Sequence, residues 1–423
     1  MAVVTVVKTI GSTGTFSTPA LWESGAPADL TTAEKSAATT FLTATFVQGE
    51  ALSFVGSGAV GVLLDTDSTG PGTGTYVTYG LLAGDPAAND VVTGTSTATC
   101  VLTSSTPDNV GVIWQGQCQN EEFTAATAVV TISGSAVSAT CYKEITTVAG
   151  ASFRDNSNKL TNALRYDAAN GCGLSCTGTS TTLKCAINNS ETYTRISNLQ
   201  CKNVHINSSC VVLGDGLADN LIIEGKYSST STGTGVLNIL GGTIRNSLII
   251  QRTSNADHIV STGAGSPFFY NCLIVAADDL AIAPAKIFIS GASGTVTVQN
   301  CGLFAGDSTK AIKAGSATFN FTTCNSDISG TAGVTQVTFS SEFQNVTDAA
   351  SDYRLKAGAA SIDAGTTDAT NAATDIVGTA RPQGASYDIS AWEYAAAVAG
   401  GSNSGNVGNG GYYGHTRLRR LVG

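Results

Sequence analysis

The chain of 423 residues is short of charge: Asp, Glu, Lys and Arg together make up only 12% of it. With a slightly positive mean hydropathy, that scarcity excludes a solvated disordered chain. Methionine occurs once, and Lys and Glu are sparse beside Thr, Ser, Val, Ile and 48 Gly, so a helical protein is excluded and pleated sheet with tight turns is favoured. No segment approaches the roughly 20 apolar residues that a membrane-crossing helix needs. Histidine occurs three times, at His205, His258 and His415, too scattered to argue a Ser-His-Asp arrangement. The net charge of −10 sets the body against nucleic acid and anionic lipid as partners. The opening MAVVTVVKTIGSTG has no basic stretch ahead of its short apolar run, so it does not read as an export signal, and the eleven Cys are expected as thiols.

What is present is a returning phrase. Asn203 precedes Val-His-Ile, Asn220 Leu-Ile-Ile, Asn246 Ser-Leu-Ile-Ile, Asn271 Cys-Leu-Ile-Val and Asn300 Cys-Gly-Leu-Phe, and Thr323 before Cys-Asn-Ser is a degenerate sixth copy. The gaps are 17, 26, 25, 29 and 23 residues, about one coil of a stacked repeat. The phrase therefore predicts an all-β solenoid in which Asn203, Asn220, Asn246, Asn271 and Asn300 form a ladder at a bend. Cys272, Cys301 and Cys324, one residue further on, stack as small buried groups. Strand starts in a β-sandwich are the competing reading, kept open by the irregular gaps.

Four segments follow from this reading. Residues 1–50 form an N-terminal cap, with a short helix around Leu21 and Trp22 and a loose capping signal at Thr31 or Thr32 before Glu34. Residues 51–145 are early rungs carrying a β-rich insertion, or a separate small β module. The solenoid proper runs over 146–397, and 398–423 is a Gly-rich linker with a basic end. In that end Tyr412, Tyr413, Arg417, Leu418, Arg419, Arg420 and Leu421 suit an acidic, partly apolar docking partner, although a solvated basic terminus fits equally well.

Catalytic and metal-binding patterns are sparse. Asp278-Asp279 is faintly similar to the paired aspartates of polygalacturonase-type hydrolases, but their Gly-His-Gly and Arg-Ile-Lys partners are missing, and His258 and Lys310 lack the right neighbours. A turn between rungs explains the pair as well. Cys172, Cys176 and Cys185 have no zinc-knuckle spacing and no fourth ligand, and read as buried thiols. No cofactor site and no phosphate-binding glycine loop is found.

The segment from Asp352-Tyr-Arg-Leu through Thr374-Asp-Ile-Val-Gly-Thr-Ala-Arg-Pro to Tyr387-Asp-Ile-Ser-Ala-Trp-Glu-Tyr resembles the closing segment of right-handed parallel β-helix proteins of the pectin-lyase-like superfamily. The opening, with Lys8-Thr-Ile-Gly, Trp22-Glu and Pro27-Ala-Asp-Leu, together with Ser152-Phe-Arg-Asp-Asn and Thr161-Asn-Ala-Leu-Arg-Tyr, is similar to β-helix proteins of tailed bacteriophages. These resemblances touch about half the chain. They imply a right-handed parallel β-helix in a virion, and they bring no catalytic residues. The expectation is a structural virion protein, made in the host cytoplasm and released by lysis: a head decoration or auxiliary capsid protein whose partners are the major capsid protein or other virion subunits. The alternative is a tail fibre or tailspike, open to assembly as a homotrimer, that binds cell-surface glycan with or without cleaving it.

Overall fold

The computed structural model describes residues 2–42, 44–47, 49–103, 108–178, 185–205, 208–226, 235–252, 257–276, 284–291, 293–347 and 350–395. It is a parallel β-solenoid. Each coil contributes one short strand to each of three sheets, here called the first, second and third faces in chain order. The coil Arg195–Ser197, Gln200–Asn203 and Val211–Leu213 sits beneath the coil Leu217–Asp219, Ile222–Gly225 and Leu237–Ile239, strand on strand and all parallel. The third face has seven strands, from Val130–Ile132 to Ala311–Gly315, and so counts seven coils.

Strands this short suffice because the core is built from columns rather than rows. On the first face Ile145, Ile196, Ala218, Ile244, Phe269 and Val298 stack in register, all buried. On the second face the inner column is Leu174, Cys201, Ile223, Ile249, Ile274 and Leu303. Each coil places one apolar side chain on the like residue of its neighbour, which keeps its aliphatic surface from water at about 1.5–3 kcal/mol per large side chain.

The passage from first to second face is a tight bend of one residue with left-handed backbone: Asn198, Asn220, Asn246, Asn271, Asn300 and Thr323, with φ from 46° to 62°. Asn tolerates this region better than other non-glycine residues. The backbone amide of each Asn donates to a carbonyl one coil further on, Asn198 to Asp219, Asn220 to Arg245, Asn246 to Tyr270, Asn271 to Gln299 and Asn300 to Thr322. Asn203 lies outside this column, which corrects the ladder expected from sequence. It ends a second-face strand, and its amide side chain bonds Ser208 O and Ser209 O instead. The true member is Asn198, 22 residues before Asn220.

Four residues in a row are buried in Leu248–Gln251 and again in Leu273–Ala276. A strand buried on one side would alternate; these do not, because the second face is covered on its outside as well. The cover is the closing segment 339–392 with the 153–164 loop. Phe339, Phe343, Tyr353, Leu355, Ile376 and Trp392 form a second core against the outward Ile222, Leu248, Ile250, Leu273, Val275 and Phe304. Phe304 stacks on Phe339 at 4.9 Å and meets Phe343 edge-on at 5.3 Å.

The N-terminal end is plugged. Strand Ala2–Ile10 runs parallel along Asp108–Cys118 as a further layer of the first face. The helix Pro19–Ser24, capped by Thr18 Oγ1 accepting from Leu21 N, lays the buried Trp22 over the core, where Trp114 Nε1 donates to Trp22 O at 3.3 Å. Gly116 permits this approach, since a Cβ there would lie 2.7 Å from both Ile10 and Trp22. The capping signal at Thr31 starts no helix: Ala33–Leu42 is a strand, and Asp29 accepts from the Thr31 amide and hydroxyl in a local turn.

That strand opens a module with its own core. Strands Ala33–Leu42, Tyr76–Ala83, Val60–Thr66, Ala51–Val55, Val91–Gly94 and Thr99–Leu102 pair antiparallel in that order, and the last closes on the first, making a six-stranded barrel around Phe41, Phe54, Leu63, Tyr79 and Cys100. It is anchored where residues 33–35 pair with 108–110. The insertion thus spans 33–102 rather than beginning near 51, and the solenoid starts at Asp108–Cys118.

Two substitutions test these relations. Asn246→Ala should lose about 1–2 kcal/mol from left-handed strain and Asn246→Gly distinctly less, compared by urea denaturation. Phe304→Ala should cost about 3–5 kcal/mol and free the closing segment before the solenoid melts, so that limited proteolysis cuts within 339–395 first.

Candidate functional site

The docking residues proposed from sequence, Tyr412, Tyr413, Arg417, Leu418, Arg419, Arg420 and Leu421, lie outside the described residues, as do Asp278, Asp279 and His415. His258 is buried beside Asp257, its Nδ1 3.1 Å from Asp257 Oδ2, while Lys286 holds the other carboxylate oxygen at 2.6 Å. Lys310 pairs locally with Asp307, and the His205 amide donates to Asn203 Oδ1. These histidines sit in separate structural settings.

All eleven cysteines are free and buried. Cys272, Cys301 and Cys324 follow the bend residues in three successive coils, and the Cys272 amide donates to Cys301 Sγ at 3.4 Å. Cys176 Sγ donates to Thr127 O at 3.1 Å. Burial pushes the Cys185 and Cys324 thiols up to about 12, so they are neutral at physiological pH.

The richest arrangement of polar groups follows the bend column, because the closing segment is stitched to it. Asn300 accepts from Thr366 N at 2.8 Å and donates to Thr366 O at 2.7 Å, Asn271 donates to Asp388 O, and Ser390 N donates to Asn300 O. Contact between neighbouring bend side chains is intermittent: Asn220 reaches Asn198 at 3.3 Å and Thr323 reaches Asn300 at 2.6 Å. The returning end of the segment is locked by a fully buried pair. Arg381 Nη1 meets Glu393 Oε2 at 2.9 Å, and the guanidinium also donates to Asp388 O and Ser390 O. Asp375 accepts the amides of Val377, Thr379 and Glu393.

Beside the early coils, the same corner opens into a cavity of about 370 Å³ lined by Ser152, Arg154, Asp155, Lys159, Asn198 and Gly378 among others. Arg154 Nη1 donates to Asn198 Oδ1 at 2.8 Å. Burial pulls the Arg154 guanidinium below its usual value, partly offset by Asp219, Asp375 and Asp155. No local pattern in the sequence signals this site, and Ser152-Phe-Arg-Asp-Asn carries only a resemblance.

A larger cleft, about 500 Å³, lies at the N-terminal plug. Buried Lys143 donates there to Glu23 at 2.7 Å, Glu191 at 2.9 Å and Ser133 O at 2.9 Å. All three ammonium protons are thereby used, and the cluster ties the helix Pro19–Ser24 to the first and third faces. Its residues act as a structural latch.

Against protein-family models, curated proteins and solved structures alike, the chain finds no match. The fold that defines its class is therefore read from its own stacked sheets, and no residue role is carried over from a relative.

Burial raises the carboxyls of Glu23, Glu34, Asp375, Asp388 and Glu393 above their usual range. Such groups bind protons more tightly folded than unfolded, so acidification from neutrality through their folded values adds stability. Asp307 is held low by bonds from Thr309, and Asp257 is held low because the bonds from Lys286 and His258 outweigh its burial. Their contribution is present above the unfolded carboxyl range and is lost as pH falls through their lowered values. The melting temperature should therefore hold or rise from pH 7 to about pH 5 and drop only below about pH 4. A steady fall between pH 7 and 5 in a scanning-fluorimetry series contradicts this assignment.

Proposed function

We propose that the chain is a non-enzymatic structural protein of a tailed-phage particle, a head decoration or auxiliary capsid protein held to the shell through residues 412–423. The observation that carries this reading is that the solenoid is plugged at its N-terminal end by Trp22 and covered along the second face by the closing segment. A stacked sheet with a bare end invites further copies, and the plug closes one end of this rod to them. Such a rod pairs its backbone in continuous ladders, which suits a body exposed to medium and protease. The weakly charged surface resists unspecific adhesion, and the partner is the major capsid protein or another virion subunit.

Immunogold labelling of particles tests this. Regular label over the head supports decoration; label confined to the tail supports the glycan-binding fibre or spike instead; unlabelled particles end both readings. Deleting Tyr412–Gly423 should leave melting unchanged and abolish co-sedimentation with particles, and normal incorporation of the truncated chain refutes the docking role.

A further inference from the structure

The latch at the N-terminal plug holds more than an ion pair. Lys143 opens the strand Lys143–Thr147, and its side chain, 1% exposed, meets Glu23 of the helix Pro19–Ser24 and Glu191 of the connection from the third face to the first. Two carboxyls thus serve one ammonium. Glu23 Oε1 accepts from Lys143 Nζ at 2.7 Å and from Ser133 N at 3.0 Å, and Glu191 Oε1 accepts from Lys143 Nζ at 2.9 Å and from Ser135 N at 2.7 Å. The second oxygen of each, Glu23 Oε2 and Glu191 Oε2, is buried without a hydrogen-bond partner. A bare, buried carboxylate oxygen is costly, and protonating the group relieves the cost. Burial accordingly pushes the Glu23 carboxyl above its usual range even with Lys143 beside it.

A neutral carboxyl, an amine and a carboxylate in one buried contact are the two reactants and the base of a condensation. A carbonyl bond adds only about 1.2 Å to the 2.7 Å contact, so the Glu23 carboxyl carbon lies within about 4 Å of Lys143 Nζ. Reacting atoms need roughly 3–3.5 Å, a small adjustment of two side chains. The Ser133 amide, bonded to Oε1, is placed to stabilise the negative charge that this oxygen gains on attack. Reactants held in contact behave as if at a concentration of order 10⁵ M or more, which favours amide over acid where bulk water is excluded. Glu23 also lines the cleft of about 500 Å³, through which a released water can leave.

We propose that Lys143 and Glu23 join in a spontaneous isopeptide bond once the chain has folded. Glu191 takes one proton from the Lys143 ammonium, and Nζ adds to Cδ of the neutral Glu23 carboxyl. A second nitrogen proton passes to the Oε2 hydroxyl, which leaves as water. The product amide keeps one N–H, Oε1 becomes its carbonyl oxygen, and the first proton stays on Glu191; nothing is oxidised or reduced. Because the barrel lies between positions 23 and 143, the bond closes a covalent ring that includes it and fastens the plug to the first face. The inference does not depend on the particle reading.

Intact-mass measurement of the full chain, followed by peptide mapping, tests this. The chain should weigh one water less than its sequence, and digestion should yield a branched peptide joining the segments that hold Glu23 and Lys143. Lys143→Arg keeps the charge but offers no primary amine, and should retain its full sequence mass. In chain sampled at intervals after cell-free synthesis, Glu191→Gln should slow the loss of water at least about a hundredfold. A full sequence mass in the folded wild-type chain, a water lost from any other position, or a branched peptide that forms at the parental rate in Glu191→Gln overturns the proposal. The wild-type mass decides even where a variant fails to fold.

Discussion

The register of the whole solenoid hangs on one repeated interaction: a bend residue with left-handed backbone whose amide donates to a carbonyl one coil further on. Because side chains alternate sides along a strand, slipping any coil by one residue would turn its core column outward. The bend fixes where the second-face strand begins, and so which residue of Asn-Leu-Ile-Ile points inward. Columns of Ile on Ile and Cys on Cys follow from that placement. The variable connections between second and third faces leave the register undisturbed, since each coil is reset at the next bend.

The second constraint is that the second face is a middle layer. Its outward Ile222, Leu248, Ile250 and Phe304 would be a large exposed apolar surface without the closing segment. That segment covers them with aromatic side chains and then has to satisfy its own backbone, which it does through the bend asparagines and the turn around Asp375. The buried Arg381–Glu393 pair completes this turn. A buried pair is weak evidence for stability by itself. Here the guanidinium also supplies donors to Ser390 O and to Asp388 O, which Asn271 reaches as well.

How far these relations are legible in sequence depends on how local they are. Asn220, Asn246, Asn271 and Asn300 announce themselves because bend and aliphatic run are contiguous. Asn198 does not, since Leu199-Gln200-Cys201 lacks the aliphatic phrase: Gln200 takes the outward place and bonds Asp167 instead of an apolar cover. Asn203 mimics the phrase, but the chain there leaves the sheet. The barrel was visible as irregular strands, whereas its closure depends on pairing 38–42 with 99–102, which no local pattern reports. Arg154, Lys159 and Gly378 are brought together by the closing segment across more than two hundred residues. Likewise, the Lys143 latch unites Glu23 and Glu191 from opposite ends of the early chain.

A plugged rod covered along one face still keeps another face open. Sealing consumes the N-terminal end and the second face, while the first face keeps its outward column of Glu144, Arg195, Leu217, Thr243, Phe268 and Thr297 in contact with solvent to varying degree. The closing segment ties that cover to the bend corner, since the loop that buries Ile376 and Val377 also sets Gly378 against Arg154. Loosening that loop would remove cover from the core and spread the cations at once. A chain that holds the loop in place through Asp375, Arg381 and Glu393 therefore keeps the Arg154–Lys159 corner ordered through interactions already required by its fold.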